Sequence, residues 1–94
     1  MTYSNGKPET IVFGGKATLY IDHSRMEMDL KVEPEVVGLI RELLESLQSS
    51  GYEIQRFNRT EWIIRHPHNW NCAVHDFPEL IGSKLKVGYT RKDS

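Results

Sequence analysis

Hydrophobic and polar residues alternate one by one in two stretches of the first third of the chain. Residues 18–22 form the shorter stretch and residues 26–33 the longer, in which Met26, Met28, Leu30 and Val32 alternate with charged side chains. The polar segment 22–25 between them has the composition of a turn. A period of two sends one set of side chains to a core and the other to water. The pattern predicts a β-hairpin with one solvated face and with both methionines in the core. The apolar run Ile11-Val12-Phe13 before Gly14-Gly15 predicts an earlier strand.

The segment 34–51 has the spacing of an amphipathic helix. Pro34 suits a first helical position, and Gly51 suits the residue after a helix end. Gly38 lowers helix propensity and is a candidate for a close approach to the sheet. The apolar residues recur every three or four positions and form one stripe, made of Val36, Val37, Ile40, Leu43, Leu44 and Leu47.

The remaining chain again has the pattern of short strands. Residues 52–57 and 60–65 predict a second hairpin with a turn at Asn58-Arg59. Trp70, Cys72 and Val74 alternate and predict a further strand with Cys72 in the core. A loop at 77–79 and a last strand over 84–90 with a basic outer face complete the order β-β-β-α-β-β-β-β.

One amphipathic helix must bury its stripe against one face of a sheet, because no other element is expected to cover it. The fold class predicted is therefore α+β, with one amphipathic helix on an antiparallel sheet of two hairpins plus one or two short strands. Residues 1–9 are polar and predict a flexible tail, and residues 10–94 predict a single domain.

Composition narrows the class of function. The chain has 94 residues, a net charge of −1 and one cysteine. A chain of this size builds one modest core, which favours a shallow surface site or a binding face over a deep active site. The single cysteine and the lack of an apolar leader indicate a reducing, cytoplasmic location, with no membrane partner. Phosphate-loop, nucleophile-elbow and HExxH motifs are missing, so no enzymatic activity and no cofactor are predicted.

Three of the four histidines and the only cysteine lie within ten residues. Zinc takes nitrogen and sulfur ligands, so these residue types suit it. The spacing matches no recognised zinc motif, and a strand would point Cys72 and His75 to opposite faces. We therefore predict no metal site, and a small zinc-binding domain is kept as an alternative through the candidates His66, His68, Cys72 and His75.

Basic and aromatic side chains alternate along the second hairpin. Arginines beside an exposed aromatic ring hold phosphates and stack bases, whereas tryptophan and arginine also dominate the energetics of protein interfaces. The low net charge argues against nucleic acid. We predict a contact surface for another protein, with RNA as the alternative partner, at Arg56, Arg59, Trp62, Arg65, Lys84 and Lys86, joined in the RNA alternative by Arg91 and Lys92.

From residue 36 to residue 92 the chain resembles the HicA/YcfA-like family of toxin mRNA interferases. The likeness is carried by Gly51-Tyr52 after a leucine-rich helix, by Arg56, by Arg65-His66-Pro67 and by the segment 85–90. The resemblance implies a scaffold like a double-stranded-RNA-binding domain, of order α-β-β-β. The family's catalytic histidine lies in a Gly-Ser-His turn, where this chain has Arg59-Thr60-Glu61. The resemblance therefore implies an RNA or protein binder that does not cleave.

Together these observations predict a small non-catalytic binding protein. Two hairpins offer exposed strand edges, and such edges accept a strand from a partner. An inhibitor, an adaptor or a regulatory subunit fits this description. The sequence leaves the oligomeric state open.

Overall fold

The computed structural model describes residues 9–92, without the side chain of Lys92, and contains one six-stranded antiparallel sheet with two helices. The strands are β1 (Glu9–Phe13), β2 (Ala17–Asp22), β3 (Glu27–Val32), β4 (Glu53–Asn58), β5 (Glu61–Arg65) and β6 (Thr90–Lys92), and the helices are α1 (Val37–Gln48) and α2 (Trp70–Leu85). A short 3₁₀ turn, Pro34–Val36, leads into α1. The predicted α+β class is confirmed, and so are both hairpins and α1.

The strand order across the sheet is β4-β5-β3-β2-β1-β6. Two hairpins, β2–β3 and β4–β5, are joined by the antiparallel pairing of β3 with β5, in which Leu30 lies opposite Trp62. β4 and β6 are the two edge strands. The predicted tail of residues 1–9 lies outside the described residues except for Glu9, which begins β1.

The core lies on one face of the sheet, under both helices. Ile40, Leu44 and Leu47 of α1 and Phe77 and Ile81 of α2 are buried in one cluster with the inward residues of β1, β2, β3 and β5. Because alternate residues of a strand point to opposite faces, the other face carries Thr18 and Tyr20 of β2 and their neighbours. No helix within residues 9–92 covers that second face.

A second helix stands where the sequence analysis predicted a strand, a loop and the start of another strand. Residues 70–85 are helical, so the alternation of Trp70, Cys72 and Val74 had the wrong period. Trp70 and Val74 are buried, but Cys72 is exposed. The prediction of Cys72 in the core is therefore wrong. The last strand is shorter than predicted and begins only at Thr90, so that the order after α1 is β4, β5, α2 and β6.

Local interactions explain why α2 forms despite Pro78 in its middle. Asn69 caps the helix, since its Oδ1 accepts a hydrogen bond from the Cys72 N–H at 3.3 Å. Pro78 has no N–H to give to the carbonyl of Val74, four residues earlier. Arg91 Nη2 on β6 lies 3.5 Å from that oxygen and donates to it instead. A side chain from the edge strand therefore compensates for the proline.

Two smaller predictions also differ from the structure. Met28 is buried, whereas Met26 is 42 % exposed in the turn before β3, where its φ is +55°. Gly38 faces open space, so it marks no close approach to the sheet. Gly51 does end α1 as predicted, with a φ of +94°.

Candidate partner-binding surfaces

The residues predicted as one contact surface lie on different parts of the fold. Arg56 and Trp62 face the helices, Arg65 lies on the open face of the sheet, and Arg59 is in the β4–β5 turn. Lys84 lies in the last turn of α2 and contacts Glu42 of α1, and Lys86 follows that helix. β4 and β6 are five strand spacings apart, roughly 24 Å. The basic strand β6 therefore lies at the opposite edge of the sheet from the hairpin, and the two do not form one surface.

Arg56 and Trp62 support the hairpin from the helix side. Trp62 is 3 % exposed, so its ring is not available as an anchor for a partner. The Arg56 guanidinium carbon lies 5.7 Å from the centre of that ring. Arg56 also donates to the carbonyls of Asn58 and Arg59, each at 3.0 Å. Its role is to hold the β4–β5 turn and to cover the indole.

Two further basic residues are paired with carboxylates. Arg65 Nε donates to Glu27 Oε2 at 3.0 Å, and a second nitrogen of Arg65 contacts the same oxygen. Lys84 Nζ lies 3.4 Å from Glu42 Oε1 and joins α2 to α1. Pairing of this kind lowers the positive potential available to an RNA phosphate.

The most exposed large hydrophobic side chain of the described residues is Phe57, with 67 % of its surface accessible. It lies on edge strand β4, in which every residue except Ile54 is exposed. The pairing of β4 with β5 shifts register between Arg56 and Asn58. Such an irregularity bends the strand and leaves Glu53–Arg56 as its regular part. Sequence reasoning selected this hairpin but missed Phe57, because exposure depends on which strand is at the edge.

Two members of the histidine and cysteine cluster, His66 and Cys72, line a groove between α2 and the end of α1. The groove has a volume of about 690 Å³ and is lined by Leu47, Tyr52, His66, Cys72 and Asp76 among others. Burial raises the pKa of the Tyr52 phenol, and the nearby Asp76 and Cys72 add to that shift.

His66 clamps two helix ends together. Its Nδ1 accepts from the Asn69 N–H at 3.1 Å, so its Nε2 carries the proton and donates to the Ser50 carbonyl at 3.2 Å. Both ring nitrogens are thus engaged, and neither offers a lone pair to a metal ion or to the Cys72 thiol.

The other metal candidates are exposed side chains. His68 lies before α2, and Cys72 and His75 lie three residues apart on the helix, not on opposite faces of a strand. Within residues 9–92 no three histidine, cysteine or acidic side chains come together as a metal site. The zinc alternative gains no support from this arrangement.

The open face of the sheet carries a pair of carboxyl groups that the sequence analysis did not single out. Asp29 on β3 and Glu61 on β5 are diagonal neighbours, because Asp29 lies opposite Ile63 and Lys31 lies opposite Glu61. Glu61 is 8 % exposed and accepts from Asn58 Nδ2 at 3.1 Å. Asp29 Oδ1 is buried without a hydrogen-bond partner. Only the long-range pairing of β3 with β5 creates this pair.

The environment of Asp29 favours its protonated form. Desolvation is the main cause, and a hydrogen bond with Glu61 and the charge of Glu61 add to it, so that the pKa of Asp29 rises to about 7. Lys31 opposes the shift and Glu27 adds to it. Near pH 7 this pair is therefore partly protonated, whereas an isolated aspartate is ionised.

Comparison of the chain with family models, with curated proteins and with solved structures finds no match. The resemblance to the HicA/YcfA-like family is therefore neither supported nor opposed by these comparisons. In the described residues, neither helix combines the length and the hydrophobicity that crossing a membrane requires.

Proposed function

We propose that this chain is a small non-catalytic binding protein that contacts a protein partner through the exposed β4–β5 hairpin. The observation that carries the proposal is the edge strand β4, which is solvent-exposed along its length and bears Phe57 at 67 % exposure. An inhibitor, an adaptor or a regulatory subunit would act through such a contact.

An edge strand binds by adding a strand of the partner. Its outer N–H and C=O groups have no partner in the sheet, and a second chain satisfies them with backbone hydrogen bonds. The regular part, Glu53–Arg56, supplies the backbone groups. β6 is a poorer edge for this purpose, since it has three residues.

Phe57 and Arg59 lie at the tip of the hairpin and are the side chains that would anchor a partner there. Both side chains are exposed, and aromatic and arginine side chains contribute most to interface free energies. Trp62 and Arg56 lie beneath them and fix the turn, so their contribution to binding is indirect.

The proposal is tested with a photo-crosslinking amino acid placed at Phe57 and, as a control, at Leu39. Leu39 is an exposed leucine of α1, far from the hairpin in the chain. We expect position 57 to cross-link a protein in a nuclease-treated lysate and position 39 not to do so. The protein identified is then purified, and its affinity is measured with the F57A/R59A variant.

We expect the F57A/R59A variant to bind that protein at least tenfold more weakly, because loss of two central anchors costs about 1.4 kcal/mol or more. The L39A variant is the matched control and should bind as the unmodified chain does. Equal affinity of the F57A/R59A variant and the unmodified chain would rule out the hairpin as the contact.

RNA remains the alternative partner under this proposal. The nuclease treatment separates the two, since a contact bridged by RNA is lost when the RNA is digested. The engagement of Arg56, Arg65 and Lys84 with partners inside the molecule favours protein.

A further inference from the structure

The face of the sheet opposite the helices forms a broad, partly apolar surface. Val12, Tyr20 and Ile63 lie on it, each partly exposed, from β1, β2 and β5. Both helices lie on the other side, so no element of the described residues shields these side chains. Contiguous exposed apolar surface of this kind is typical of interaction sites.

Tyr20 stands between two depressions in this face. One has a volume of about 440 Å³ and is lined by Thr18, Tyr20, Lys31 and Thr60 among others. The other has a volume of about 310 Å³ and is bordered by Tyr20, Asp29 and Ile63 together with Asp22 and Glu27. An extended segment that crosses Tyr20 would pass over both depressions.

The charges on this face are unbalanced. Among the side chains of β2, β3, β4 and β5, five carboxyl groups lie on it, whereas the basic ones are Lys31 and Arg65, and Arg65 is held by Glu27. Arg25, in the turn after β2, lies 4.0 Å from Asp22. The carboxyl groups are those of Asp22, Glu27, Asp29, Glu53 and Glu61. The face therefore complements a basic partner and repels phosphates of RNA or of a membrane surface.

The carboxyl pair of Asp29 and Glu61 indicates where one basic group of a partner would bind. Asp29 Oδ1 is buried and unpartnered beside Glu61, and an unsatisfied acceptor of this kind costs free energy. An ammonium or guanidinium group donates several hydrogen bonds at once and would satisfy that oxygen. The apolar stem of a lysine or an arginine would lie along Tyr20 and Ile63.

We propose that the open face of the sheet binds a basic segment of a partner protein, with one lysine or arginine side chain between Asp29 and Glu61 and an apolar side chain next to Tyr20. This surface is the flat of the sheet and not its edge, so the proposal stands or fails separately from the hairpin contact. Binding is stronger when both carboxyl groups are ionised.

The groups that face Asp29 determine this pH dependence. They are Tyr20 and Asp22 on β2, Glu27 and Lys31 on β3, and Glu61 and Arg65 on β5. A bound cation favours release of the proton held by Asp29 and Glu61, so the segment binds more tightly as the pH rises through the pKa of the pair.

The test uses a synthetic peptide of alternating arginine and valine, five residues long and capped at both ends, and a control peptide with glutamate in place of arginine. Amide spectra of the isotope-labelled chain are recorded during titration. We expect shifts at Tyr20, Asp29 and Ile63 with the basic peptide, and none there with the acidic peptide. The dissociation constant should fall at least threefold from pH 5.5 to pH 8.

Three variants keep the test decisive. The D29N/E61Q variant should bind the basic peptide at least fivefold more weakly and lose the pH dependence. The K31E variant changes an exposed position and should bind more tightly than the unmodified chain. The F57A/R59A variant should bind as the unmodified chain does. Shifts confined to β4 or to the helices, equal binding of the acidic peptide, or no effect of the K31E variant would overturn the proposal.

Discussion

At the scale of single residues, the fold depends on a few polar side chains that each satisfy a specific backbone group. Asn69 caps α2, and Arg91 donates to the carbonyl that Pro78 leaves free. His66 joins the end of α1 to the start of α2. Asp29 is the exception, because one of its oxygens is buried without a partner. Groups of this kind are either a cost to stability or a sign of a binding role.

Asp29 gives the first prediction, on the pH dependence of stability. Its pKa is raised from the ordinary 3.8 to about 7. The folded chain therefore holds a proton that the unfolded chain releases, and the free energy of unfolding falls as the pH rises from 4 to 7. One pKa unit corresponds to about 1.4 kcal/mol, and allowance for solvent screening leaves a fall of roughly 1–2 kcal/mol.

The measurement is urea unfolding of the unmodified chain and of the D29N variant from pH 4 to pH 8. We expect D29N to be the more stable of the two above pH 7 and to have the flatter profile. D22N is the control, and its effect on stability should have the opposite sign. Hydrogen bonds from Ser24 lower the pKa of Asp22, so we expect D22N to be less stable than the unmodified chain at neutral pH. Parallel profiles for D29N and the unmodified chain would contradict the raised pKa.

At the scale of elements, the two helices differ in the surroundings of their interior glycines. α1 is a regular amphipathic helix, and its interior glycine, Gly38, faces open space. α2 contains Pro78, and its Gly82 lies under the chain that leads to β6. A Cβ atom at Gly82 would lie 3.1 Å from Tyr89 Cδ2 and 3.3 Å from the Val87 carbonyl oxygen. One glycine is therefore a weakness of its helix, and the other is a packing requirement.

These two glycines form a matched pair for the second prediction. The G38A variant should be more stable than the unmodified chain by about 0.5–1 kcal/mol, because alanine has the higher helix propensity and nothing obstructs its methyl group. The G82A variant should lose stability, because the gain in propensity is outweighed by the contact with a backbone oxygen. The stability of each variant is measured from its midpoint of urea unfolding. Equal gains in stability for G38A and G82A would disprove the close approach of Gly82 to the chain before β6.

At the scale of the whole molecule, the strand order decides which charged groups share a surface. β4 and β6 are opposite edges, so Arg91 of β6 and the arginines of the hairpin lie on opposite sides of the sheet. One face of the sheet is covered by helices, and the other is open and acidic. Within the described residues, the hairpin edge and the open face of the sheet are therefore two separate exposed surfaces.

The third prediction concerns RNA. We expect fluorescent single-stranded and double-stranded RNA probes to bind weakly at 50 mM salt, with a log–log salt slope of about 2 or less, because few unpaired basic groups share one surface. The R59A variant should change that slope by at most about 1. A slope near 5, or strong binding that the R56A/R59A/R65A variant abolishes, would favour the RNA alternative over a protein partner.

Local sequence patterns were sufficient for the two hairpins, for α1 and for the α+β class, because periodicity and turn residues depend on near neighbours in the chain. α2 was missed although Trp70, Ala73, Val74, Phe77 and Ile81 follow helical spacing after the capping Asn69. The alternation at the start of α2 and the proline in its middle, Pro78, obscured that spacing. The information was therefore present in the sequence, and the interpretation was wrong.

Other features were decided only by the tertiary structure. Asp29 and Glu61 are 32 positions apart, and they become neighbours because β3 pairs with β5. Phe57 is exposed because β4 is an edge, and Trp62 is buried because β5 is not. Pairing between distant strands is governed by how all the apolar faces fit together on folding, and no local pattern contains that choice. The exposed edge strand and the open face of the sheet follow from that global packing.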